Sequence, residues 1–190
     1  MIDVRIAPVA AAEDNALVDE LAALVNGVYA VAEEGLWVDG TLRTTPEGIA
    51  ALIAVGQIAV ARADERIVGV VQIQRLDTGV GEFGMLAADR AHRGRGVGRE
   101  LVRFAEHWSR EQGLDTMQLE LLVPRQWTHP SKEFLKAWYS RIGYRAVRCG
   151  QFEESYPELA SLLATPCDFL IYHKRLCAVP AHERADVLTR

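Results

Sequence analysis

Cysteine is sparse in this chain and odd in number: Cys149, Cys167 and Cys177 are the only three, far apart and without metal-type spacing. That pattern excludes a disulfide framework and favours a reducing, cytoplasmic setting. The histidines, His92, His107, His129, His173 and His182, are scattered and form no ligand pattern, so no metal is expected. Long apolar runs are missing as well. The longest, Ile49 to Ala61, is broken by Gly56 and Gln57 and is too short to span a bilayer. Asp3 and Arg5 near the N-terminus are followed by no apolar stretch of the signal-peptide kind, so neither export nor a membrane partner is expected. Basic excess is lacking too. With 21 Lys and Arg against 26 Asp and Glu the net charge is −5, which argues against nucleic acid as the main partner. It suits a cationic amine, and equally plain solubility.

What is present is ordinary for a globular domain: 190 residues, 49% apolar and 25% charged, enough to bury a core. Ile2, Val4 and Ile6 alternate with Asp3 and Arg5 as a first strand. Leu17, Leu21, Leu24, Val25 and Val28 make a helical stripe opened by Asp14-Asn15, and a shorter helix is predicted from Pro46 to Val55. Ile58–Ala61 and Ile67–Leu76 read as a hairpin around Asp64-Glu65, and Val80–Ala87 as the next strand. A helix follows, then strands over Thr116–Leu122, Arg145–Cys149 and Phe169–Lys174, with a helix before the second of these and a small one over Pro157–Ala164 between the last two. The main order, β-α-α-β-β-β-α-β-α-β-β, mixes an antiparallel meander with a parallel crossover, so a mixed, helix-covered sheet is expected. Neither a repeat nor a linker interrupts it. Residues 1–176 form one domain in this reading, and 177–190 a tail.

The most informative stretch is Asp89-Arg90-Ala91-His92-Arg93-Gly94-Arg95-Gly96-Val97-Gly98-Arg99. It lies where a strand hands over to a helix marked by Val97, Leu101, Phe104, Ala105 and Trp108. Glycine lets a ligand approach the backbone closely. The first turn of a helix carries unpaired N–H groups and partial positive charge, so this turn is built for an anion such as phosphate. No lysine follows the glycines, which removes a Walker loop, and Gly-x-Gly-x-Gly after a late strand is not the dinucleotide fingerprint. Arg90, Arg93, Arg95, Arg99, Arg103 and Arg110 cluster nearby in sequence, a local reversal of sign in an acidic chain. Downstream, Ser131 to Tyr144 reads as an amphipathic helix with Phe134, Leu135, Trp138 and Ile142 on one face, opened by Pro130 and ended by Gly143.

Arg93, Gly96 and Gly98 fill the pattern Arg/Gln-x-x-Gly-x-Gly, and Tyr139, Gly143 and Tyr144 fill Tyr-x-x-x-Gly-aromatic. In this order, one strand apart, they resemble the two motifs of the GNAT superfamily of acyl-CoA-dependent N-acetyltransferases. The resemblance implies an α/β (mixed α+β) domain with a central, mixed, mostly antiparallel sheet flanked by helices. It also implies a cytoplasmic acyltransferase, monomer or homodimer, moving an acetyl group from acetyl-CoA directly to a primary amine on a small molecule or peptide. The amides of Arg93, Gly94, Arg95, Gly96, Val97, Gly98 and Arg99 then take the CoA pyrophosphate. Leu86, Ala87 and Ala88 offer a free strand edge to pantetheine, with an N–H near Leu86 as oxyanion donor. Ala88 stands where Val is usual, Arg90 where Pro is frequent, and Glu133 where an Asn often contacts pantetheine.

The same resemblance makes Tyr139 the acid for the leaving thiolate, since a phenol stays protonated at neutral pH. The base is Glu82, on the same strand face as Leu86 unless a bulge intervenes, or Glu120, whose burial in an apolar strand would raise its pKa. Each carboxylate is as readily a solvated or ion-paired group. His129 either lines the acceptor pocket or caps the following helix, the latter being favoured. Trp37, Glu33 and Glu34 occupy the loop that walls the acceptor site in this family. Two other classes compete with the enzyme: a catalytically silent acyl-CoA-binding sensor or regulatory module, and a basic turn that binds nucleic acid or a nucleotide. Tyr139 favours the enzyme over the sensor, and the acidic total disfavours nucleic acid.

Overall fold

Alternation of apolar and polar residues shapes β1 (Ile2–Ile6), and the Asp14 carboxylate, accepting from the Leu17 N–H, opens α1 (Asn15–Ala32). Thr45 caps α2 (Pro46–Ala54) in the same way. Asp64 and Glu65, with φ of 49° and 65°, make the tight turn between β2 (Ile58–Ala63) and β3 (Arg66–Arg75). Then come β4 (Gly81–Ala88), α3 (Val97–Glu111), β5 (Thr116–Pro124), α4 (Pro130–Arg141), β6 (Arg145–Gln151), α5 (Phe152–Ser155) and β7 (Cys167–Arg175). The computed structural model describes residues 1–176, so the expected tail and Cys177 lie outside the described residues. No helix among the described residues is long and apolar enough to cross a membrane.

The strands form one sheet in the order β1-β2-β3-β4-β5-β7-β6. Every pairing is antiparallel except β4 with β5. On one face α3 and α4 cover Val71, Ile73, Phe83, Met117 and Leu119; on the other α1 and α2 cover Val60, Val70, Met85 and Ala87. Two glycines in the sheet let α3 lie close. A Cβ on Gly69 would come within 2.8 Å of Val97 Cγ1 and 2.9 Å of Leu101 Cδ1, and one on Gly81 would collide with the Ser109 hydroxyl.

One segment departs from the sequence reading. The small helix expected over Pro157–Ala164 is instead the single turn α5, before Pro157, and a 3-10 turn at Ala160–Leu162. Phe152, which opens α5, is buried against Trp37, Tyr156 and Phe169.

Two irregularities create the site. The parallel pair β4–β5 is in register only at Gly81–Met117 and Glu82–Gln118, after which the strands part. In β4 a bulge at Met85, with φ of 47°, sets Met85 and Leu86 against Val71 alone, between the pairs Val70–Ala87 and Gln72–Gly84. Side chains change face across it. Phe83 joins the α3–α4 core, whereas Met85 and Ala87 join the α1–α2 core. Glu82 and Leu86 therefore point to opposite faces, which corrects the same-face expectation for these two residues.

Candidate active site

The glycine turn ends in Gly96, the N-cap of α3, with φ of 86° and Gly94 two residues earlier at 80°. Both values suit glycine and strain other residues. A Cβ at either would meet nothing within 4 Å, so neither glycine serves packing; the space beside them is open. The first helical bond runs from the Glu100 N–H to the Gly96 carbonyl at 3.0 Å. The N–H groups of Val97, Gly98 and Arg99 thus precede the hydrogen-bonded ladder and point out of the helix end. Arg93, Arg95 and Arg99 are exposed around them. Arg110 does not join the cluster, because it lies about 20 Å further along the helix axis and pairs with the buried Glu106 at 3.6 Å. The turn therefore fits a pyrophosphate, held by backbone donors and the dipole of a long helix.

Helix α4 brings the second motif beside the first. Trp138 lies 3.7 Å from where a Cβ on Gly98 would stand, and Tyr139 follows it, its ring packed among Phe83, Tyr144 and Tyr172. Burial, and then the neighbouring Tyr29, push the Tyr139 phenol far above its ordinary pKa. Its hydroxyl has no hydrogen-bond partner among the described residues and borders a cleft of about 400 Å³ between the parted strands. The aromatic slot of the motif, Tyr144, is fully buried and donates to Glu106 at 3.1 Å. Its role is packing. Glu133, in the place of the usual Asn, accepts from Lys136 at 2.7 Å.

Leu86 lines the same cleft, and its N–H faces the hydroxyl of Tyr29. Tyr29 is a residue the sequence reading did not single out. It sits three residues on from Asn26 in α1, so only the docking of α1 on the bulged strand brings it to Leu86.

The remaining wall of the cleft is polar. Glu82 accepts from Gln74 Nε2 at 2.7 Å and from Gln118 Nε2 at 2.8 Å. Gln118 also reaches Glu120 at 3.3 Å, and the Tyr156 hydroxyl donates to Glu120 at 2.9 Å. His173 Nε2 lies 2.9 Å from Gln118 Oε1 and orients the bridging amide. Burial, and then the like charge of Glu82, raise the Glu120 pKa, the direction expected from its strand. The two candidate bases are thus joined through one glutamine.

Around the mouth, Glu33 accepts from Lys132 Nζ at 2.6 Å and from Trp37 Nε1 at 2.6 Å. Burial opposes its ionisation, but Lys132, Arg43 and these hydrogen bonds outweigh that and hold its carboxyl below the ordinary range. Both Glu33 and Lys132 are buried. Glu34 is exposed and lines only the shallower outer part of the opening. Val38 N–H bonds the Leu162 carbonyl at 2.8 Å and Ala164 N–H the Leu36 carbonyl at 2.9 Å, which ties the first acceptor loop to the segment before β7. His129 caps α4, accepting from the Ser131 N–H at 3.2 Å, and stacks on Trp127. Among the described residues, no group of three or more His, Cys, Asp and Glu is placed to hold a metal ion.

Comparison with known proteins agrees with this geometry. The family model described as "Acetyltransferase (GNAT) family" matches residues 37–144, from the acceptor loop through both motifs. No curated protein sequence matches the chain. Among solved structures, PaiA N-acetyltransferase from Thermoplasma acidophilum in complex with coenzyme A is similar, with a TM-score of 0.63 at 16% identity over 92% of this chain and 99% of that one. A GNAT-family acetyltransferase from Staphylococcus aureus gives 0.61 at 17% identity over 93% and 99%. IAA acetyltransferase from Bacillus cereus gives 0.59 at 18% over 93% and 100%. At such identities the likeness is one of fold. With the family match over more than half its length, the chain belongs to the GNAT acetyltransferase family.

Proposed function

We propose that this protein transfers an acetyl group from acetyl-CoA to the primary amine of a small molecule by direct attack. The observation that carries the reading is the cleft itself, which joins an N–H of the bulged strand, a protonated phenol and a pair of carboxylates. The pyrophosphate of acetyl-CoA rests on the amides of the Arg93–Arg99 turn, and the freed edge at Leu86, Ala87 and Ala88 pairs with pantetheine. That a Thermoplasma relative of the same fold binds coenzyme A supports this part.

The Leu86 N–H then stabilises the oxyanion as the amine adds to the thioester carbonyl. Glu82 takes the amine proton through water, and Gln118 keeps Glu120 coupled to it. As the C–S bond breaks, the Tyr139 hydroxyl donates to the departing thiolate. Its raised pKa keeps Tyr139 protonated until the thiolate forms, and the phenolate left by the transfer regains a proton from solvent through the open cleft. The test is thiol release from acetyl-CoA with a broad panel of primary amines. Release with some of them, rising with pH as the amine deprotonates and then levelling, is the expected result. Acetyl-CoA binding without release on any amine would replace the enzyme by a CoA-binding sensor.

A further inference from the structure

Arg43, in the loop between α1 and α2, plays no part in the chemistry described above. Its backbone is pinned. Asn26 Oδ1 accepts from the Arg43 N–H at 2.9 Å and the Thr44 N–H at 3.1 Å, and Asn26 Nδ2 donates to the Thr44 carbonyl at 2.9 Å. This clamp sends the side chain over Tyr29, with the guanidinium carbon 5.0 Å from the ring centroid. Arg43 remains reachable from solvent, yet it lines the cleft alongside Glu82 and Glu120. Tyr156, whose hydroxyl donates to Glu120, lines the same cleft.

The guanidinium leans on Tyr29 but has no carboxylate in ion-pair contact among the described residues. No carboxylate oxygen among them lies within 4.0 Å of it, and the nearby Glu33 has its two oxygens taken by Lys132 and Trp37. Arginine presents a planar fork that matches a carboxylate in bidentate geometry. Facing it across one opening are two carboxylates suited to an ammonium group. The cleft is therefore dipolar, positive on its loop wall and negative on its sheet floor.

We infer that the acceptor is an aminocarboxylate, with its carboxylate docked on Arg43 and its amine presented to Glu82. This inference rests on the acetyltransferase reading and narrows it to one class of substrate. A plain amine would satisfy the floor and leave the guanidinium idle. A zwitterion satisfies both, and arrives with its amine already aimed away from the loop wall. Arg43 is then a positioning and specificity residue.

The experiment uses the full chain, acetyl-CoA, and α-, β- and γ-amino acids, each paired with its carboxamide so that only the carboxylate differs. The best amino acid should exceed its carboxamide in kcat/KM by about tenfold to a hundredfold, the scale of a charge-assisted hydrogen-bonded pair. In Arg43→Gln that ratio should fall towards one, mainly through KM for the acid, and Arg43→Lys should recover part of it. Melting temperatures establish that each variant is folded. Equal turnover of acids and carboxamides by the wild type overturns the inference while leaving the acetyltransferase reading intact. A ratio unmoved by Arg43→Gln does the same. Failure of every amine, with acetyl-CoA still bound, overturns both.

Discussion

The two ends of the cleft are built in contrasting ways. The proposed phosphate end is one continuous stretch, Arg93 to Arg99, which offers backbone N–H groups and the end of α3. The proposed acceptor end is gathered from Tyr29, Glu33 and Arg43 in the first third of the chain, Glu82 and Glu120 on neighbouring strands, and Tyr156 beyond α5. A backbone device tolerates almost any side chain beside it, provided the glycines remain. A side-chain device depends on every element that carries one of its members. The first end suits a ligand with a constant part, and the second suits acceptors that differ from one relative to another.

The largest effect is expected where a side chain would invade the backbone end. Gly96→Val should abolish acetyl-CoA binding by calorimetry, because its Cβ enters the open space at the pyrophosphate position and its φ of 86° disfavours a branched residue. Loss of packing cannot be the cause, since that Cβ meets no protein atom within 4 Å. Wild-type affinity in this variant would remove the turn from the site.

Tyr139 stands where the two ends meet, and Tyr139→Phe should lower turnover by about 10²–10⁴-fold, the scale of a positioned general acid. Acetyl-CoA affinity and melting temperature should hold, since the ring still packs and the hydroxyl gives up no protein partner. An acyl donor with a more acidic thiol should suffer less. Full turnover in the folded variant would make Tyr139 a core aromatic only.

At the acceptor end the buried Lys132–Glu33 pair supports the wall. Lys132→Met should cost about 3–5 kcal/mol of stability at neutral pH by leaving a buried carboxylate unpaired. The sign of the pH effect follows from the lowered Glu33 pKa. The pair stabilises the fold above the ordinary carboxylate pKa, and that contribution disappears as pH falls through the lowered value. The gap between variant and wild type in chemical denaturation should therefore narrow in acid. A constant gap would place the effect in packing.

The smallest effect is expected at the base. Glu82→Gln should reduce kcat/KM by about a hundredfold at neutral pH, the low end for a positioned general base, and by less at high pH, where the amine deprotonates in solution. An equal loss at every pH would transfer the role to Glu120.

Local features were legible because they repeat over short distances. The apolar spacing of Val97, Leu101 and Phe104, and the glycines before them, mark a strand–helix turn without any tertiary information. Tyr139 was legible for the same reason, lying on an amphipathic helix closed by Gly143. The element order was readable too, and β4 and β5 were each found to within a residue or two of their bounds. Glu82 illustrates the limit: its strand was evident, and Gly84 beside Met85 was the one local sign of the bulge that separates its face from that of Leu86.

By itself the sequence determined the backbone half of this protein: the order of strands and helices, the open glycine turn, and the tyrosine beside it. These follow from steric preferences and periodicities acting over a few residues. Only the tertiary structure decided the acceptor half. The parting of β4 from β5, the approach of Tyr29 to the Leu86 N–H, the pairing of Glu33 with Lys132 and the guanidinium of Arg43 left facing two carboxylates all depend on segments far apart in the chain. Charge and burial at such a site are sums over neighbours that packing supplies, and no local pattern in the chain encodes them.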